Sequence, residues 1–481
     1  MTVPTSLLQE FRDFLVAQVG WCFPEKRWPD LLRSMTALAR ERDFSGPESC
    51  MRSLMQTSLN RGQVEMLARH LSVGETYFFR DPAVFRILEQ EVLPALIEAR
   101  RHTGKRLRIW SAGCCSGEEA YSIAILVAQL LPDPDGWHIH ILGTDIHPGF
   151  LKKAGQGVYR DWSFRGLPAS FRQRNFAGSG SGDHAILPHI KRLVSFDYLN
   201  LASDFYPSLD TGANAMDIIL CRNVLMYFEP AQIKQVVRKL HHSLVEGGWL
   251  IVSSSELNQQ LFADFSAVKL GDATLYRKDV EQPPAAPALR APRVSASGPR
   301  QARKVDSAGA FDKREAPPGR PATPYLTALA HYEDGAYGKA VALLIAGACR
   351  GPLELALLAR AHANQGLLEA AGNWCEAAID ADKCHPGLRY LQAVILEEQG
   401  SMAAALAALK RALYLDQDFV LAHFALGNLY RRLKKPHEAA RHFAYAAQLL
   451  QAYQAEDILP ESEGMPAGRL VEIIRAREGI A

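Results

Sequence analysis

Two adjacent carboxylates open a helix directly behind a glycine loop. In L-R-I-W-S-A-G-C-C-S-G-E-E-A-Y-S-I, residues 107–123, a strand-type run enters a turn carrying Gly113 and Gly117 and leaves as a helix with Glu118 and Glu119 in its first turn. Glycines so placed turn the backbone sharply and let it approach a ligand, as in nucleotide-binding α/β folds. The spacing is G-x-x-x-G, and Glu118 stands where the third glycine of a dinucleotide loop would be, so a pyrophosphate would be repelled. The pair suits a ligand that carries positive charge and no phosphate. S-adenosylmethionine, with its sulfonium and α-ammonium groups, is the common one. Both glutamates would also complement the helix dipole, which stands as the alternative.

A third carboxylate follows at a telling distance. H-I-H-I-L-G-T-D-I, residues 138–146, is an apolar β-type run ending in Asp145, 28 residues after Gly117, which leaves room for one helix (120–131) and a turn. A carboxylate at the end of a second strand accepts hydrogen bonds from a ribose diol. The competing reading is an Asp that caps the next helix.

These groups need a scaffold, and the chain has length for several domains: 481 residues, 48% of them hydrophobic. A net charge of +2 argues against general nucleic-acid binding. The eight cysteines (22, 50, 114, 115, 221, 349, 375, 384) form no C-x-x-C pair and no metal-ligand spacing, so they read as thiols of a reducing compartment with no metal site. The amino terminus shows no basic n-region, and the longest apolar stretch, 11 residues around Tyr121–Leu131, is too short to span a bilayer. A cytoplasmic location is expected, without membrane insertion.

Residues 1–72 carry helical periodicity, with scattered bases (Lys26, Arg27, Arg33, Arg40 among them) that serve either as a docking face for an acidic partner or as a solvated surface. From 73 to 279 strands alternate with helices. M-D-I-I-L-C (216–221) reads as a buried strand and 230–244 as a helix with proline in its first turn, ended by Gly247-Gly248 before the strand W-L-I-V-S-S. The alternation implies a mostly parallel α/β sheet with helices on both faces, the doubly wound, Rossmann-like arrangement. Between about 159 and 195 it breaks into short segments around G-S-G-S-G, residues 178–182, read as an inserted β-rich subdomain with a flexible tip.

Residues 280–324 differ in kind, with nine prolines and one aromatic in positions 281–324, and read as a semi-extended linker. Beyond it the sequence repeats. Gly366 and Gly400, the triplet Ala371, Ala405 and Ala439, and the triplet Ala378, Ala412 and Ala446 all recur at 34 residues, the tetratricopeptide period. Repeats over 325–455, with a degenerate first copy, would bury a continuous core and offer a protein or peptide partner a concave surface. Residues 456–481 read as a tail with a final helix.

The order of motifs is similar to that of the CheR-type chemoreceptor glutamate methyltransferases with a tetratricopeptide extension, most nearly the WspC-like kind of surface-sensing, biofilm-related systems. The resemblance spans roughly residues 5–278 and rests on G-E-T-Y-F-F-R-D (74–81), S-A-G-C-C-S-G-E-E-A-Y-S (111–122), G-T-D-I (143–146), L-N-L (199–201), C-R-N-V-L-M-Y-F (221–228) and G-G-W-L-I-V-S-S-S-E (247–256). It implies transfer of a methyl group from S-adenosylmethionine to glutamates on the cytoplasmic helices of a methyl-accepting receptor, leaving S-adenosylhomocysteine. Cofactor contacts carried over by position fall on Gly74, Thr76, Arg80, Gly113, Glu119, Asp145, Asn200, Leu201, Arg222 and Asn223. Where the family often has Asn this chain has Gly74, and where it often has Pro this chain has Ala120.

The chemistry is consistent with those residues. Methyl transfer to a carboxylate is an in-line displacement that chiefly needs alignment, and a glutamate is already ionised at neutral pH. Arg80 offers a planar fork for the acceptor, and the Tyr227 hydroxyl, four residues after Asn223, can reach the same place, so these two are the candidate catalytic residues. A salt bridge of Arg80 to Asp81 or Glu89, and a core position for Tyr227 beside Phe228, are the structural alternatives. A nucleic-acid amino-methyltransferase would show [D/N]-P-P-[Y/F] where this chain has C-R-N-V-L-M-Y. A small-molecule methyltransferase and a cofactor-binding scaffold are the other rivals.

Overall fold

The structure is a computed structural model and describes all residues except 1–2, 73, 103, 132–133, 135, 180–181, 203–205, 209–210, 280–323, 348–350 and 479–481. The linker expected over 280–324 therefore lies outside the described residues apart from its last position, as does the centre of the G-S-G-S-G tip. The described residues form two compact units, one built essentially from the first 279 residues and one from the helices that begin at Pro324.

The first unit starts with α1 (Thr5–Val19), α2 (Trp28–Glu41), α3 (Pro47–Leu54) and α4 (Arg61–Leu71). Leu7, Leu8, Phe11 and Leu15 recur at helical spacing and are buried, as are Leu31, Met35 and Leu38. Helix α1 stops at Gly20, whose φ of 80° makes a left-handed cap. Helix α4 starts at a capping box in which Asn60 and Gln63 bond reciprocally.

Helices α5 (Pro82–Ile87) and α6 (Leu93–Arg100) lead to β1 (Arg106–Ala112), α7 (Glu118–Leu130), β2 (His138–Asp145) and α8 (Pro148–Gln156). Next come β3 (Val158–Tyr159), α9 (Ala169–Asn175), β4 (Phe176–Ser179), β5 (Asp183–Ile186) and α10 (Pro188–Lys191). The unit ends with β6 (Val194–Tyr198), β7 (Met216–Leu220), α11 (Pro230–Ser243), β8 (Leu244–Ile251), β9 (Phe265–Leu270) and β10 (Ala273–Lys278). Seven strands form one sheet in the order β6-β2-β1-β7-β8-β10-β9, parallel from β6 to β8 and antiparallel at β10 and β9. Strands β3, β5 and β4 form a separate antiparallel sheet, the inserted subdomain.

Alternate residues of β1 serve opposite cores. Leu107 and Ile109 join the cluster of α7 and the inserted sheet, whereas Trp110 and Ala112 join a cluster continuous with α1–α4. The chain leaves β1 toward β2 and returns across it to β7, so the crevice at the carboxyl ends of β1, β2 and β7 is a topological switch point, where such sheets bind ligands. One expectation shifts. Helix α11 ends at Ser243, and Gly247-Gly248 lies inside β8. Gly247 has a φ of 75°, and a Cβ on Gly248 would sit 2.9 Å from the Val245 carbonyl oxygen, so the pair makes a strand irregularity and not a helix stop.

The second unit is a run of paired helices: α12 (Pro324–Glu333), α13 (Tyr337–Ala346), α14 (Pro352–Asn364), α15 (Leu368–Ala381), α16 (Pro386–Glu398), α17 (Met402–Leu415), α18 (Val420–Arg432) and α19 (Pro436–Leu449), closed by α20 (Ala467–Glu478). Ala371, Ala405 and Ala439, and Ala378, Ala412 and Ala446, all lie buried on the second helix of a pair. The turn between paired helices has Gly366 at φ 76°, Gly400 at 77° and, one period on, Lys434 at 58°. None of the described helices is long and apolar enough to cross a membrane.

Candidate functional site

A cavity of about 370 Å³ opens at the switch point, a size that takes a nucleoside cofactor. Thr76, Arg80, Gly113, Glu119, Asp145, Asn200, Leu201, Arg222, Asn223 and Tyr227 all line it. Gly74 does not. A Cβ there would lie 2.2 Å from the Phe150 ring, so this glycine makes room for an aromatic wall of the cavity.

The two glutamates of the glycine loop part company. Glu118 is 1% exposed and accepts from the Ser116 and Ser163 hydroxyls at 2.8 and 2.9 Å, which ties the loop to the inserted subdomain. Glu119 faces the cavity. It accepts from the Ser111 hydroxyl at 2.7 Å and pairs with Arg222 Nη1 at 3.1 Å, while Arg222 Nη2 reaches Asp81 at 3.3 Å. Gly117 serves packing, because a Cβ would meet Ala154 at 2.8 Å, and Gly113 holds the loop against Val224 in the same way.

Asp145 does not cap a helix. Its carboxylate accepts from the backbone N–H groups of Cys115 (2.9 Å) and His147 (2.8 Å), and the cap of α8 is His147, whose Nδ1 accepts from Phe150 N–H. Burial raises the Asp145 pKa above the usual carboxylate value, and the backbone N–H donors oppose the shift. The neighbouring Cys115 thiol is pushed up to about 12 by burial, with Asp145 and Glu118 adding to it, so it stays protonated and a poor nucleophile.

Arg80 sits in a strained loop. Phe79 and Asp81 on either side have φ of 55° and 72°, a region that bulky L residues avoid. Aromatic anchors hold the conformation: Phe78 stacks on Phe164 (centroids 5.2 Å apart) and meets Phe176 at 5.1 Å, and Phe79 packs on Phe85 and Phe171. Neither salt bridge considered for Arg80 forms. Its Nη1 donates to the Glu75 carbonyl at 2.6 Å, and no carboxylate of the described residues lies within ion-pair distance. Tyr227 lies beside Phe228 but opens to the cavity, and its hydroxyl has no hydrogen-bond partner among the described residues.

Several contributors were not foreseen. Glu256, the last residue of G-G-W-L-I-V-S-S-S-E, accepts from the N–H groups of Asn223 and Val224 at 2.8 Å each, and so sets the turn that carries Asn223 and Tyr227. Trp21, Cys22 and Phe23, between α1 and α2, form a wall, with Cys22 N–H donating to the Tyr227 carbonyl at 2.7 Å and Arg27 over the Tyr227 ring at 5.3 Å. The signal was the G-W-C-F-P break in an otherwise helical region.

The residues fit S-adenosylmethionine. The cavity offers carboxylates at Glu119 and Asp145, the Asn200 amide with its oxygen already bonded to Ala202 N–H, and a buried Arg222 Nε–H without a partner among the described residues. A mixed sheet, parallel at its switch point and carrying an acidic glycine loop there, defines a methyltransferase-class nucleoside site. A family model described as CheR methyltransferase, SAM binding domain, matches residues 74–273, and a TPR repeat model matches 395–434. Chemotaxis protein methyltransferase 1 of Pseudomonas aeruginosa is 36% identical over 220 residues, 45% of this chain and 78% of that protein. Chemotaxis protein methyltransferase 2 of Vibrio cholerae serotype O1 is 31% identical over 271 residues, 56% of this chain and 91% of that protein. An uncharacterized 104.1 kDa protein of Rhodobacter capsulatus is 34% identical over 44% of this chain, which spans only 21% of that protein. A solved chain of MamA from Desulfovibrio magneticus RS-1 aligns at a TM-score of 0.25 and 19% identity, covering 27% of this chain and 75% of its own. The chain belongs to the CheR methyltransferase family.

Proposed function

We propose that the protein esterifies glutamate side chains of a methyl-accepting receptor with the methyl group of S-adenosylmethionine, in a WspC-like surface-sensing pathway to which the repeats recruit it. The observation that carries this reading is Arg80, a cation without an acidic partner at the mouth of a cavity otherwise built for the cofactor. When bound, the cofactor supplies an electrophilic methyl on sulfur. Asp145 and Asn200 would hold the ribose and adenine, and Glu119, fixed by Ser111 and Arg222, would face the ligand's positive charge. Arg80 and the Tyr227 hydroxyl would orient the acceptor carboxylate in line, which is the main requirement of the step. No proton has to be removed, since the acceptor is already ionised.

The test is incubation with tritiated S-adenosylmethionine and membranes carrying candidate receptors. A base-labile methyl ester on a receptor band is the expected result, reduced strongly by Tyr227→Phe. Cofactor binding without transfer to any protein would make the chain a scaffold, and transfer to a soluble metabolite would make it a small-molecule enzyme.

A further inference from the structure

In the repeats, the first helix of each pair (α12, α14, α16 and α18) contributes to one row, and the segment after α19 returns along it. Residues 457–467 form a loop closed on itself. Ile458 bridges Pro466, Leu459 N–H donates to the Met465 carbonyl at 3.0 Å, Ala467 N–H donates to the Asp457 carbonyl at 2.8 Å, and the Ser462 hydroxyl donates to the Leu459 carbonyl at 2.7 Å. With its backbone bonded internally, the loop meets the helices through side chains. Glu461 pairs with Arg360 of α14, and Glu463 accepts from the Tyr332 hydroxyl of α12. Gly387 of α16 admits the first of these, because a Cβ there would lie 2.6 Å from the Glu461 carboxyl carbon. Leu459 and Met465 supply buried apolar anchors.

Two features separate this loop from a permanent cap. Glu461 and Glu463, the residues that make the polar contacts, have φ of 63° and 54°, so the acids reach their partners only from a conformation that L residues rarely adopt. The fit is also incomplete. A cavity of about 170 Å³ remains between the loop and the starts of α16 and α18, lined by His385, Phe419, Tyr453 and Glu461 among others, and His385 Nδ1 is buried without a partner among the described residues. Arg360 pairs directly with Glu461 and also feels the charge of Glu463, so both acids of the loop act on the same guanidinium.

We propose that this row of the repeats is a docking surface for an acidic, E-x-E-type loop of a partner protein, and that the chain's own residues 457–467 occupy it in the partner's absence. A competing segment with two carboxylates and apolar flanks would meet the same Arg360 and Tyr332 groups. One that places its acids at unstrained positions would displace the internal loop.

The experiment uses the full chain and a labelled synthetic peptide, residues 456–468 of this sequence. In a Glu461→Gln/Glu463→Gln variant the internal loop loses its charged contacts, so fluorescence anisotropy should show the peptide binding at least about tenfold more tightly than to the wild type, where the tethered copy competes at high effective concentration. A peptide with glutamine at both positions should not bind, and adding Arg360→Leu should abolish binding. In the wild type, excess peptide should raise hydrogen exchange in 457–467, a readout that needs no substitution. Equal affinities for wild type and variant, no binding to a variant that still melts cooperatively, or unchanged exchange under excess peptide would each overturn the proposal and make the loop a structural cap.

Discussion

Arg80 of the methyltransferase unit lines the cavity and Arg360 of the repeats meets the chain's own carboxyl-terminal loop, and the fold treats the two arginines oppositely. Arg80 is held between two left-handed residues with a backbone carbonyl as its partner. Arg360 is matched to Glu461 from the carboxyl-terminal loop of its own chain. Under the proposed function, a cation left without an acid is free to bind an acceptor carboxylate from outside. A cation supplied with an internal acid binds only what outcompetes that acid. On the two proposals, the first arrangement would favour turnover, because an acceptor must arrive and leave repeatedly, and the second would favour a partner that is selected and then retained.

Breaking the Arg80 side should have the largest effect. Arg80→Ala is expected to lower methyl transfer about 10²-fold while S-adenosylhomocysteine affinity changes little, because loss of one orienting group at the reacting centre commonly has that consequence. Initial rates and calorimetry on the same preparation check it, and near wild-type turnover would remove Arg80 from the acceptor site.

The comparison sharpens when stability is read in place of rate. Arg360→Leu leaves Glu461 without its counter-ion and should lower stability by about 1–3 kcal/mol after allowance for partial exposure of the pair. Arg80→Leu strands no carboxylate and should stay within about 0.5 kcal/mol of wild type. Denaturant melts distinguish the two, and equal losses would mean that Arg80 has an ionic role in the fold.

A smaller, uniform effect is expected at Asp145, where the proposed function puts the ribose. Asp145→Ala should weaken S-adenosylmethionine and S-adenosylhomocysteine alike, by roughly tenfold or about 1.4 kcal/mol, because the ribose is common to both. A change for one ligand only would place Asp145 near the methyl group.

The smallest effect involves one histidine in each unit. Burial lowers the pKa of His241 to about 4, with Lys278 adding to the shift and Asp264 and Glu246 opposing it, and burial lowers that of His442 to about 4, with His423, Arg441 and Lys410 adding. The unfolded chain binds these protons near the usual histidine value of 6.5, so between about pH 6.5 and 4 it holds more protons than the folded one. Stability from the neutral rings is therefore present above pH 6.5 and lost as pH falls through that window. Melting temperatures should drop by a few degrees from pH 7 to 5, and His241→Asn should flatten the drop in the first unit; an unchanged slope would show that other groups govern it.

Local patterns carried much of the fold. The 34-residue alanine steps reappear as buried second helices, and the run ending in Asp145 is a strand whose last residue lies on the cavity. Side-chain direction was not legible in the same way. Glu118 and Glu119 are neighbours in sequence with equal claim on a cationic ligand, yet one is turned to Ser163 of the inserted subdomain and the other to the cavity, a difference of 100° around a helix whose orientation depends on distant packing. Gly74 resembled a cofactor position because it sits in a shared motif, but its spacing to Phe150 exists only once α8 is placed.

Composition, period and motif order by themselves pointed to the α/β sheet, the helical repeats and the cofactor class, because hydrophobic periodicity and glycine turns act over a few residues. The tertiary structure alone decided that Glu256 braces the Asn223 turn, that Trp21 to Phe23 close the cavity, that Arg80 lacks an acid and that Arg360 has one. Each of those facts is a distance between residues remote along the chain. Such distances are set by the packing of whole elements, which local propensity does not encode.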